Sequence, residues 1–163
     1  MAGAAEEKNE NPTRYTDIVR GMTKEKFVEA LSVSTRTSRE AYFHRHGVKA
    51  PPSGRGFTKP GAKNEARAAG LYEALMERVD EQVAEEILRT WLLGKRPMLA
   101  AALDHLKIAH DNGLTESDDV DRFEKLSGAE LKDMVKTLAK VAPPDEIKAY
   151  LKYMGAENVD GAF

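Results

Sequence analysis

The chain has 163 residues, 32% of them charged, with 25 Lys and Arg against 27 Asp and Glu for a net charge of −2. That balance excludes a molecule-wide field drawing the whole protein to nucleic acid or membrane, and the absence of cysteine excludes disulfides, thiolate metal sites and a cysteine nucleophile. No apolar run approaches the ~18–20 residues of a membrane span, and the opening MAGAAEEKNENP has no apolar core of the secretory kind, so a cytoplasmic location is the expectation.

Residues 1–12 are polar and acidic and read as a disordered tail. A short helix is expected from Thr13 to Arg20, stopped at Gly21. Thr23 suits the N-cap of a second helix carrying Phe27, Val28 and Leu31 on one side. Ser32 to Thr37 is rich in Ser and Thr and reads as loop. Ser38 could cap a further short helix through His46, closed by Gly47. Residues 47–61 hold four Gly and three Pro. Gly costs about 1 and Pro about 3 kcal/mol in a helix interior, so this stretch reads as an exposed linker or surface arm.

From Ala62 the texture changes. Leu71, Leu75, Val79, Val83, Ile87 and Trp91 recur at fourfold spacing, widened by Tyr72, Met76, Leu88 and Leu92. This is the stripe of a core-facing helix, either continuous over 62–93 or broken near Asp80, with Gly94 as its stop. Pro97 fits the first turn of the next helix, which carries Leu99, Leu103 and Leu106 and ends before the turn Asp111-Asn112-Gly113. Thr115 with Asp118 suggests a short capped turn. Ser127 and Glu130 have capping-box spacing ahead of Leu131, Met134, Val135, Leu138 and Val141. Pro144 and Asp145 open a last helix with Ile147, Tyr150, Leu151 and Met154 inward and Gly155 closing it, leaving a loose tail over 156–163.

With no sustained alternation of apolar and polar residues, these elements predict an all-α fold. The expectation is a small helical bundle of about five to seven helices with an irregular basic N-terminal segment. The segments are 1–12 as tail, 13–61 as short helices plus a basic Gly/Pro-rich arm, 62–155 as the helical domain, and 156–163 as tail.

The strongest functional signal is the arm. Arg36, Arg39, Arg45, Lys49, Arg55, Lys59 and Lys63 oppose only Glu40 between residues 36 and 63, a local balance of 7 − 1 = +6, which leaves −2 − 6 = −8 for the rest. Tyr42, Phe43 and Phe57 stand among these cations. Cations with interleaved aromatics can dock on an acidic protein surface or neutralise phosphates and stack on bases. The plainer alternative is a solvated loop that folds back on the protein's own acids. The expected partner-binding residues are therefore Arg36, Arg39, Tyr42, Phe43, Arg45, Arg55, Phe57 and Lys59.

Other constellations are weaker. His44 and His46 are two apart and point to different faces of a helix, and His105 and His110 are five apart; neither pair makes a metal chelate, although Asp104 or Asp111 could orient an imidazole. Asp111, Glu116, Asp118, Asp119 and Asp121 form an acidic run without the spacing of a calcium loop, better suited to favouring helix N-termini. A faint helix-turn-helix over Leu99 to Leu114 is followed by acids, which would repel phosphate. There is no nucleophile elbow, and Gly54-Arg55-Gly56 lacks the rest of a phosphate loop. No cofactor and no metal site is expected. The reading is a non-enzymatic protein-interaction or regulatory helical module whose partner is another protein or a second copy of itself. The alternatives are a nucleic-acid-binding accessory protein using the basic segment and, more remotely, an enzyme built around Asp104, His105 and His110.

Overall fold

The computed structural model of the chain describes residues 14–33, 70–74, 77 and 81–163. These form six α-helices and two 3₁₀ segments, with no strand among the described residues: the all-α class expected from the pattern. The α-helices are α1 (Arg14–Arg20), α2 (Lys24–Ser32), α3 (Glu81–Leu93), α4 (Arg96–His105), α5 (Gly128–Leu138) and α6 (Pro144–Tyr153). Residues 70–74 are also helical, while 75–76 and 78–80 lie outside the described residues, as do 1–13 and 34–69. Contacts divide the described residues into two compact units, one ending at Trp91 and one running from Leu92 to Phe163.

In the unit ending at Trp91, the amphipathic stripe packs as its spacing requires. Leu71, Val83, Ile87, Leu88 and Trp91 are buried together with Ile18, Val19, Phe27, Ala30 and Leu31, and Val28 is half-buried. Each fully buried large apolar side chain contributes about 1.5–3 kcal/mol. Phe27 meets Tyr72 edge to face at 5.3 Å, and the Tyr72 hydroxyl donates to the carbonyls of Arg20 and Met22 at 3.3 and 3.4 Å. Thr23 caps α2 by accepting from the Lys26 N–H. The start of α1 is closed from far along the chain: the backbone N–H groups of Tyr15 and Thr16 donate to the two oxygens of Glu81 at 2.9 and 2.8 Å. The indole N–H of Trp91 donates to Glu29 at 2.6 Å, so the only tryptophan is a core residue with its polar edge satisfied. Tyr72, Glu81 and Trp91 tie residues 14–32 into one packing unit with the stripe, links that composition does not carry.

In the unit from Leu92, α4 packs on α5, and the C-terminal 3₁₀ segment Val159–Ala162 packs on α5 and α6. Pro97 sits in the first turn of α4. Ser127 and Glu130 form the capping box at α5: Ser127 Oγ accepts from the Glu130 N–H at 3.2 Å and Glu130 accepts from the Ser127 N–H at 2.9 Å. Leu131, Met134 and Leu138 face the core, but Val141 does not. Helix α5 ends at Leu138, so the fourfold pattern no longer applies three residues later, and Val141 is 48% exposed. The 3₁₀ segment Asp118–Lys125 is capped by Ser117, which accepts from the Asp119 N–H, and not by Thr115. Its Phe123 is fully buried and meets Tyr150 edge to face at 5.8 Å.

Two helices end in the same motif. After α6, Gly155 adopts φ 93°, its N–H donates to Lys152 O, and the Ala156 N–H donates to Leu151 O. After α4, Lys107 takes that left-handed position at φ 59°, with its own N–H on Asp104 O and the Ile108 N–H on Leu103 O. These are the paired bonds of a Schellman ending, with Ile108 buried beside it as the accompanying apolar contact. The final residues, read as a loose tail, carry a buried Val159, and Lys148 and Lys152 both reach Asp160.

Candidate functional site

Arg36, Arg39, Tyr42, Phe43, Arg45, Arg55, Phe57 and Lys59, with Lys49, Lys63, His44 and His46, all lie outside the described residues. The other sequence candidates fall on the unit from Leu92, along α4 and the segment that follows it.

The Schellman reversal at Lys107 sends the chain back along α4. Ile108 is buried and anchors the return, and two residues later His110 meets Asp104. Its Nε2 lies 2.7 Å from Asp104 Oδ1, and its Nδ1 accepts the Gly113 N–H at 3.0 Å. Nδ1 thus stands as the acceptor of the Gly113 N–H, and Nε2 is the ring nitrogen placed to donate to Asp104. Both ring nitrogens are therefore engaged in hydrogen bonds.

Gly113 belongs to a two-residue turn. Asp111 and Leu114 exchange both backbone hydrogen bonds, at 2.7 and 3.0 Å, and Asn112 and Gly113 between them have φ 50° and 87°. Asn-Gly is the sequence that this turn type favours, because both central residues need positive φ. The turn lies directly on α4: a Cβ added at Gly113 would stand 2.8 Å from Leu99 Cβ and 3.1 Å from the Ala100 nitrogen. The Arg96 guanidinium reaches the Asn112 carbonyl at 3.3 Å. Thr115 Oγ1 donates to Ala109 O at 2.7 Å and closes the segment at its base.

His105 does not join this group. Its Nδ1 lies 3.1 Å from Thr137 Oγ1, a link from α4 to α5. Asp104 and His110 are thus brought together, while His105 is engaged elsewhere. The acids Asp111, Glu116, Asp118, Asp119 and Asp121 are all exposed, and three of them occupy the first turn of the 3₁₀ segment. Among the described residues, no group of three or more His, Asp or Glu could hold a metal ion, and no helix is long and apolar enough to cross a membrane.

Elsewhere among the described residues, some ionisable side chains serve a helix end or the packing. Glu130 is held below its ordinary value by the Ser127 backbone N–H, then by the Ser127 hydroxyl, with a smaller contribution from Arg122. Burial pushes the Tyr150 hydroxyl well above the usual tyrosine range. Glu146 is buried and paired with Lys95 at 3.4 Å. Sequence reasoning did not foresee Gly113 as a partner of His110, although the Asn-Gly turn was legible.

No known protein family, curated protein or solved structure matches this chain.

Proposed function

We propose that this protein is a non-enzymatic interaction or regulatory module of the cytoplasm that engages another protein or a second copy of itself through its basic segment. The observation that supports this reading is the division of charge: +6 over residues 36–63 and −8 over the remainder, with Tyr42, Phe43 and Phe57 set among the cations. A surface of one sign speeds encounter with a partner of the other sign and excludes partners of like sign. Aromatic side chains among the cations supply the apolar area that holds the complex once formed. The exposed acids from Asp111 to Asp121 are a surface of the sign such a segment would seek on a second copy.

The test uses the full chain against a variant in which Arg36, Arg39, Arg45, Arg55 and Lys59 are all changed to Gln. Sedimentation over a concentration series is run on both, together with affinity capture at physiological salt. The expected result is a concentration-dependent mass or a defined bound protein with the parent chain, lost in the variant. A monomer at every concentration, with the same capture for both chains, would overturn the reading.

The same cations and aromatics also fit a nucleic-acid-binding accessory role. That alternative predicts a gel shift at low salt that weakens steeply as salt rises, since each phosphate contact releases a counterion. No shift at low salt removes it.

A further inference from the structure

We propose that His110 is a pH-operated latch that holds the Asp111–Leu114 turn against helix α4. The imidazole joins Asp104 near the end of α4 to the Gly113 N–H at the tip of the turn, beside the Arg96–Asn112 bond that also links turn and helix. The latch depends on Nδ1 being an acceptor. When the ring takes a second proton, that proton goes to Nδ1, and a donor then faces the Gly113 N–H at a separation of 3.0 Å. The bond is lost, and the two hydrogens repel.

Other charged groups around the ring do not restore it. Asp104, on α4, attracts a charged imidazolium, but its side chain is 73% exposed, so water screens the attraction. Arg96, also on α4, reaches the Asn112 carbonyl in the same turn, and its charge opposes a second cation nearby. Asp111 lies within the turn and is exposed. On α5, Thr137 engages His105 instead. Protonation therefore exchanges a hydrogen bond at the tip of the turn for a water-screened charge contact at its base.

The consequence follows from the packing. Gly113 lies so close on Leu99 and Ala100 that only a residue without Cβ fits there. Leu99 is 6% exposed under this cover. Opening the latch lifts the tip, uncovers Leu99 and frees exposed Leu114 to move. Mild acid thereby creates an apolar patch on α4 that neutral solution conceals. Histidine is the side chain suited to such a change, because it ordinarily titrates between about pH 5 and 8.

The experiment uses the full-length protein labelled with ¹⁵N. A long-range ¹H–¹⁵N spectrum at alkaline pH reads the tautomer of His110, and amide exchange corrected for its intrinsic rate reads the protection of Gly113 across the titration of the ring. The expected result is the Nε2–H tautomer, with Gly113 protection falling about fivefold as the ring is protonated, the worth of one net hydrogen bond. In His110→Asn the side-chain oxygen replaces Nδ1 as acceptor and does not titrate, so Gly113 protection stays level with pH. A proton on Nδ1 at alkaline pH overturns the proposal, as does constant Gly113 protection while His110 titrates. An unchanged pH response in His110→Asn overturns it too. If that variant fails to fold, the two measurements on the parent chain still decide.

Discussion

At position 107, glycine should hold the unit from Leu92 to Phe163 more firmly than alanine does. Lys107 occupies the left-handed position that ends α4, at φ 59°. There an L side chain brings its Cβ too close to the following carbonyl, at a cost of roughly 1–2 kcal/mol. Glycine avoids that cost but loses more freedom on folding, about 0.5–1 kcal/mol. The backbone gain expected for glycine over a residue with a Cβ at this position is therefore about 0.5–1 kcal/mol, equivalent to about 2–8 °C in the midpoint of a domain of this size. Losing the lysine charge near a helix C-terminus works the other way, by about 0.3–1 kcal/mol. Lys107→Ala removes the same charge yet retains a Cβ, so the difference between the two variants isolates the backbone effect. Urea unfolding followed by helical ellipticity measures both. A Gly variant no more stable than the Ala variant would refute the reasoning, because the Schellman bonds at Lys107 and Ile108 would then be held without strain.

Two further outcomes follow from the polar accounting. Thr16 is fully buried, and its Oγ1 has no hydrogen-bond partner among the described residues. Thr16→Val keeps the branched shape, removes the desolvated hydroxyl and should gain about 1 kcal/mol in a urea transition; a loss of stability would mean that the hydroxyl has a partner. Glu130 is held below its ordinary value by the Ser127 N–H and hydroxyl, so its contribution is present above the unfolded pKa and fades as pH falls through the folded one. Glu130→Gln keeps an acceptor for the Ser127 N–H without the charge or the titration, and should flatten the acid limb of the stability–pH curve by lowering neutral stability toward its acid value. An acid limb of the same slope in both proteins would contradict this.

What could be read from the residues was mostly local. Thr23, Pro97, Ser127, Pro144 and Gly155 each mark a helix end by a mechanism confined to one or two turns, and each stands where its chemistry requires. The fourfold stripe placed Leu71, Val83, Ile87 and Trp91 in the core for the same reason. Val141 was assigned to a helical face that stops at Leu138, because periodicity does not mark its own end. Lys107 gave no sign of its left-handed conformation, since composition points to glycine there. Pairings across long separations were invisible: Glu81 with the start of α1, and Glu29 with Trp91. The Asp104–His110 contact depends on a chain reversal at a lysine, so the six-residue spacing alone could not show it. The residues singled out for partner binding rest on charge and aromatic content, which report the character of a surface and not its shape.

The location of the only indole has a practical consequence. Trp91 lies in the unit that it terminates, and the unit beyond it has only the tyrosines Tyr150 and Tyr153 as phenolic chromophores. Fluorescence excited selectively through the indole thus originates in the unit ending at Trp91. Near-ultraviolet dichroism draws on both units, from Tyr150 held against Phe123 and from Trp91 and the Tyr72–Phe27 pair. An unlabelled sample therefore carries one optical channel that originates in a single unit and one that both share, and a gap between their melting midpoints can be read in a single cuvette.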